Sequence, residues 1–119
     1  MNNAKLSEEI QRLKAACGYS MEGLKAISTH PAFRMELIAT AILLPLALLL
    51  AHSGVERALL VGSLFLVLIV ELLNTGVEKA IDRISTDIHP LSKLAKDVGS
   101  AAVLLSLVNA AVIWFFILF

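Results

Sequence analysis

The sequence predicts an all-α membrane protein, with three transmembrane helices and an N-terminal amphipathic surface helix in a single domain over residues 1–119. Three observations carry this. Of the 119 residues, 58% are hydrophobic, and mean hydropathy is +0.83, more than a soluble domain of this size carries. The apolar residues fall in long blocks that each approach the roughly 20 residues needed to cross a bilayer core. Polar stretches, "HSGVER" and "ISTDIHPLSK", separate the blocks.

The first element, about residues 4–27, reads as an amphipathic helix. Leu6, Ile10, Leu13 and Cys17 form an apolar stripe, with Lys5, Glu8, Glu9, Arg12 and Lys14 largely off it. A break is expected near Cys17-Gly18, with Ser20 as a cap in "CGYSMEG". Such a helix suits the membrane interface. The first span is expected over about 33–52, with Pro45 inside it, where neighbouring helices can satisfy the freed carbonyl. The second begins near Val55, and its helical pattern continues to Arg83. Pro90 is expected to stop that helix, and the third span covers about 93–119, with Lys96 and Asp97 at its start.

Ten basic and ten acidic residues give zero net charge, so nothing points to nucleic acid as a partner. The single cysteine, Cys17, rules out an internal disulfide and a CxxC metal site. The N-terminal "MNNAKLSEEIQRLK" is too charged for a secretory signal. Lys5, Arg12, Lys14, Lys25 and Arg34 precede the first span, and Lys79, Arg83, Lys93 and Lys96 flank the second loop. Only Arg57 marks the first loop. The positive-inside rule then puts the N-terminus and the second loop in the cytoplasm and the C-terminus outside.

The most informative stretch is "ELLNTGVEKAIDR", directly after the uncharged run "ALLVGSLFLVLIV". Glu71, Asn74, Glu78 and Asp82 stand at i, i+3, i+7 and i+11, one stripe running from membrane depth to the surface. Ionisable groups in a span are expensive and face a bundle interior or a watery site. His89, Lys96, Asp97 and Ser100 form a second polar cluster, and Arg12, Tyr19, Arg34 and Glu36 a third. Carboxylates and an amide can hold Mg²⁺, basic groups can neutralise phosphate, and a desolvated Glu can act as a general base. These are parts for phosphoryl transfer at a membrane surface, although no Walker A or kinase glycine-rich loop is present. Spacing alone leaves three readings open: a catalytic stripe, a proton or cation pathway lined by Glu71 and Glu78, and a helix-packing network. Asp82 beside Arg83 reads as a surface ion pair, His52 as a solvated turn residue, and Trp114 as a lipid-facing or interfacial anchor. Asn109 reads as a helix–helix hydrogen bond.

"VELLNTGVEKAIDRIS" followed by "HPLSKLAKDVGSAAV" closely resembles the signature of the prokaryotic integral-membrane diacylglycerol kinases, E-x-x-N-[ST]-x-x-E-x-x-x-D-R and then A-K-D-x-[GA]-S-A-A. "GYSMEGLKA" and "AFRMELIA" fit the same family, so the resemblance covers nearly the whole chain. It implies a homotrimer in the bacterial inner membrane, with active sites shared between subunits. It also implies direct transfer of the ATP γ-phosphate to diacylglycerol, giving phosphatidic acid. Undecaprenol is the alternative acceptor.

Carried over position by position, the resemblance makes Glu71 the general base, Glu78 the metal-binding carboxylate and Asn74 its neighbour in the phosphate site. Lys96 and Asp97 correspond to nucleotide contacts, Asp87, Ile88 and His89 to the segment near the adenosine, and Arg12 and Tyr19 to residues near the phosphates. The lipid groove falls on Ala16, Cys17, Gly18, Tyr19, Ser20 and Met21, then on Ala32, Phe33, Arg34, Met35 and Glu36. Arg57, Glu71, Ser100 and Trp114 complete it. One departure stands out. Where the resemblance implies a second metal-binding Glu, this chain has His30, in "THPAFRME". Either Glu36 or Asp97 replaces it, or the cation binds more weakly, or imidazole favours a softer ion, or His30 simply sits at the interface.

Overall fold

A computed structural model describes residues 2–119. Four helices follow one another: α1 (Asn3–Ile27), α2 (Pro31–Leu50), α3 (Gly54–Ile84) and α4 (Pro90–Leu118). The last three are long and apolar enough to cross a membrane.

Helix α1 opens on Asn2, whose side chain accepts from the Ala4 N–H at 3.4 Å. It runs without interruption through Cys17-Gly18, against the expected break. Gly18 keeps ordinary helical torsions, because a mid-helix glycine weakens a helix by only about 1 kcal/mol relative to alanine. Ser20 does not cap anything, since its hydroxyl bonds back to the Ala16 carbonyl at 3.0 Å. The helix ends at Ser28, where the hydroxyls of Ser28 and Thr29 satisfy the Lys25 and Ala26 carbonyls. Only Ile27 of α1 is buried, and Leu6, Ile10 and Leu13 of its apolar stripe lie exposed. An unpartnered stripe on an otherwise charged helix suits the bilayer interface.

The α2–α3 corner is closed at both ends. Ser53 Oγ accepts from the Glu56 N–H at 3.1 Å, while Glu56 Oε2 accepts from the His52 N–H at 2.6 Å. This S-x-x-E pairing is a capping box shifted by one residue on its return leg. Arg57 donates to the carbonyls of Leu48 and Ala51, both at 3.3 Å, and so satisfies the end of α2.

Helix α3 is the central element, packed by α2 and α4. Its buried face reads Leu60, Ser63, Leu64, Val67, Leu68, Glu71, Asn74 and Thr75. The polar stripe therefore continues the core-facing stripe and turns away from lipid. Two apolar clusters hold the bundle. Near one end Ile27, Phe33 and Leu68 meet, and near the other Ala47, Ala51 and Leu60 pack under Ile113, Trp114 and Ile117. Trp114 is half-buried there, and its indole N–H donates to Ser63 Oγ at 3.1 Å. It ties α4 to α3, since a buried indole N–H needs a partner.

At 31 residues α3 is about 46 Å long, more than the bilayer core requires. Its last turns, with the polar stripe, extend past the apolar block. Pro90 does not stop this helix. α3 ends at Ile84, and Pro90 instead opens α4 at a position where its missing N–H has no intrahelical partner to lose. His89 is the N-cap of α4, its Nδ1 accepting from the Leu91 N–H at 3.1 Å.

Candidate active site

The stripe of α3 opens into a cavity of about 340 Å³ between α2, α3 and α4. Its walls are His30, Pro31, Ala32, Glu36, Glu71, Asn74, Thr75, Glu78, Ser100 and Val103. Glu71 is only 6% exposed and sits where the uncharged run ends. Asn74 Nδ2 lies 3.5 Å from Glu78 Oε1, a long hydrogen bond that aligns the two side chains. Asn74 Oδ1 and Glu36 Oε2 are buried with no partner in the protein. Buried polar atoms are ordinarily satisfied, so the orphaned Glu36 oxygen on this cavity marks a place for something polar. Asn74 Oδ1 lies against Gly99 of α4, where any Cβ would collide with it. Thr75 on the cavity wall and the contact of Asn74 with Gly99 were not legible from spacing. The only hint of Gly99 was its place in "KDVGSAA".

A second cavity of about 270 Å³ lies at the α3–α4 connection. Asp82, Asp87, Ile88, His89, Lys93, Lys96 and Asp97 line it. The two cavities follow one another along α3: Glu78 faces the first, and Asp82, about 6 Å further along the helix axis, faces the second. Asp82 does not pair with its neighbour Arg83 as its sequence position suggests. It receives Lys96 Nζ at 2.6 Å across the two helices. Asp97 takes Lys93, at 2.5 Å.

The structure thus brings together Ala32, Glu36, Glu71, Asn74, Glu78 and Ser100 with His30, and separately Asp87, Ile88, His89, Lys96 and Asp97, the residues expected at the nucleotide. It does not bring Arg12 or Tyr19 to either cavity. Both lie on the exposed part of α1, with Ala16, Cys17, Gly18, Ser20 and Met21. Arg34 and Met35 are exposed on α2, while Phe33 is 2% exposed in the core. Arg57 stands 14 residues before Glu71 on α3, about 21 Å away, at the opposite end of the bundle.

Carboxylate and amide oxygens are hard donors that suit a small divalent cation. Among the described residues no three His, Cys, Asp or Glu side chains cluster closely enough to cage a metal.

The comparison with known proteins decides the family. The model of the prokaryotic diacylglycerol kinase family matches residues 18–118. The chain belongs to the prokaryotic diacylglycerol kinase family. Among curated members, the diacylglycerol kinase of Pseudomonas aeruginosa is 46% identical over 106 residues, 88% of this chain and 86% of that one. The Haemophilus influenzae protein is 44% identical over 102 residues (85% of this chain, 86% of the relative). The Escherichia coli K12 protein is 41% identical over 104 (87% and 85%). Three apolar helices together with membership in this kinase family make the chain a bacterial membrane protein.

Proposed function

We propose that the chain is an ATP-dependent lipid kinase that phosphorylates diacylglycerol to phosphatidic acid by direct in-line transfer. The observation that carries the reading is the buried Glu71, which shares a cavity with Asn74 and Glu78 one helical turn from a lysine-bearing pocket. Family membership supports the acceptor, because the relatives in these comparisons are named diacylglycerol kinases.

In this reading the lipid hydroxyl enters from the membrane side and meets Glu71. Its carboxylate accepts the hydroxyl proton as the oxygen attacks the γ-phosphorus, the bond from that phosphorus to the β–γ bridging oxygen breaks, and ADP leaves. Glu78 would hold Mg²⁺, with Asn74 beside it in the phosphate site, and the ion would supply positive charge to the phosphates. Lys96 and Asp97, with the 87–89 segment, receive the nucleotide. Ala32, Glu36 and Ser100 shape the acceptor's entry. Phosphate and lipid-groove residues on α1 lie away from both cavities of their own chain. Together with the apolar faces left open on α2 and α4, this supports a homotrimer in which a neighbour's α1 completes each site. A detergent-corrected mass from sedimentation of three chains checks it; a monomeric active species overturns it.

Transfer of label from [γ-³²P]ATP in mixed micelles tests the function, with diacylglycerol and undecaprenol supplied separately. Labelled phosphatidic acid is the expected product. Preferential labelling of undecaprenol assigns the alternative acceptor. No labelling of either lipid, with a proton or cation flux in vesicles, assigns the stripe to a pathway.

The inner-membrane orientation follows from the charges. A phosphatase reporter fused after Phe119 is expected to be active on the periplasmic side. Cytoplasmic reporter signal from an active fusion contradicts the placement.

His30 is the N-cap of α2, makes no side-chain cap hydrogen bond, and shares the cavity with Glu78 and Glu36. Asp97 faces the other cavity and is paired with Lys93, which leaves Glu36 as the carboxylate able to substitute. His30→Glu is expected to move the Mg²⁺ midpoint of turnover downward and to tighten Mn²⁺ binding measured by electron paramagnetic resonance without nucleotide. An added anionic oxygen strengthens cation binding in a partly desolvated site. Unchanged binding in both assays means that Glu36 already completes the site.

A further inference from the structure

The second cavity is charged in an unexpected sense. Three aspartates, Asp82, Asp87 and Asp97, line it against two lysines, Lys93 and Lys96. A polyphosphate entering this pocket meets a surplus of carboxylates, so its recognition depends on where individual ammonium groups are held rather than on the pocket's net charge.

The two lysines are held differently. Lys93 reaches Asp97 on its own helix, four residues on, with side chains 74% and 59% exposed. Such solvent-exposed pairs hold little. Lys96 crosses from α4 to α3 and meets Asp82 Oδ1 at 2.6 Å, with side chains 40% and 47% exposed. Asp82 lies about one turn beyond Glu78, so this less exposed, interhelical contact directs the Lys96 ammonium to the side of the second cavity that borders the first. An unrestrained lysine loses substantial rotamer freedom when a ligand orders it. Ordering it beforehand removes that loss from binding. An ammonium has three N–H donors, and one bond to Asp82 leaves two for phosphate oxygens.

We infer that Asp82 is a positioning residue for the nucleotide, holding the Lys96 ammonium at the border between the two cavities before ATP arrives. The inference rests on the nucleotide role proposed for Lys96. Its opposite is a counter-ion that ATP must displace, and the two predict shifts of opposite sign.

The test measures KM for ATP, kcat, and the Kd of a non-hydrolysable ATP analogue in the detergent-solubilised full-length protein. Asp82→Asn is expected to raise KM and the analogue Kd about tenfold, within the coupling typical of contacting residues, with kcat much less affected. Asp82→Glu, which keeps the charge, should recover part of the loss. In a Lys96→Ala background Asp82→Asn should add nothing further, because its effect passes through the lysine. An unchanged or lowered analogue Kd in Asp82→Asn overturns the inference, as does an undiminished effect in the Lys96→Ala background. Weaker analogue binding in Lys96→Ala but not in Asp82→Asn sinks the positioning role alone. Unchanged binding in Lys96→Ala removes the nucleotide role of the lysine and the inference with it.

Discussion

Glu71→Gln is expected to lower kcat by about 10²–10⁴-fold, the usual contribution of a positioned general base. Gln has nearly the shape of Glu and still hydrogen-bonds, so the cavity wall formed with Glu36, Asn74 and Ser100 should persist. What it lacks is a basic oxygen. Glu71 is buried where the apolar run of α3 ends, so bulk water is poorly placed to take over the proton. Cation dependence and the Kd of an ATP analogue should change little, because Glu78 and the second cavity are untouched. Near-full turnover in the Gln variant would remove Glu71 from this role and leave the neighbouring Glu36 as the base to test.

Glu78→Gln is expected to fail differently. The substitution removes one negative charge from the position proposed to face the phosphates, while Asn74 keeps a hydrogen-bonding partner at its former contact. Loss of one preorganised electrostatic contact at such a site lowers activity roughly 10²–10³-fold. A large part of that loss should be recovered by raising free Mg²⁺, since the missing ligand weakens cation binding and leaves the base in place. Glu71→Gln should show no such recovery. A Glu78→Gln variant whose deficit is independent of cation concentration would move the metal role elsewhere, with Glu36 and its unpartnered oxygen next in line.

Much of this molecule was legible before any coordinates. The stripe Glu71, Asn74, Glu78 pointed inward because lipid makes the outward choice expensive, and all three line one cavity. Of the expected grouping of His89, Lys96, Asp97 and Ser100, the first three line the second cavity, while Ser100, further along α4, lines the first. Errors arose where local signals were overruled. Gly18 signalled a break, but one glycine in a 25-residue helix is tolerated. Pro90 signalled a stop, yet it sits at the first turn of the next helix, where proline is welcome. Trp114 signalled a membrane anchor, but Ser63, 51 residues away in sequence, supplied a partner for its N–H.

The sequence by itself determined the class of protein, the number of apolar spans and the stripe of α3. These depend on composition and on a 3.6-residue period, which are properties of one helix at a time. Only the tertiary structure decided which polar groups meet. It paired Asp82 with Lys96 rather than with Arg83, seated Asn74 against Gly99, and gathered His30 and Glu36 into the cavity of Glu78 while Asp97 went to the other. The reason is that such meetings are set by where α2 and α4 lie against α3. No periodicity within a single helix records the position of its neighbours.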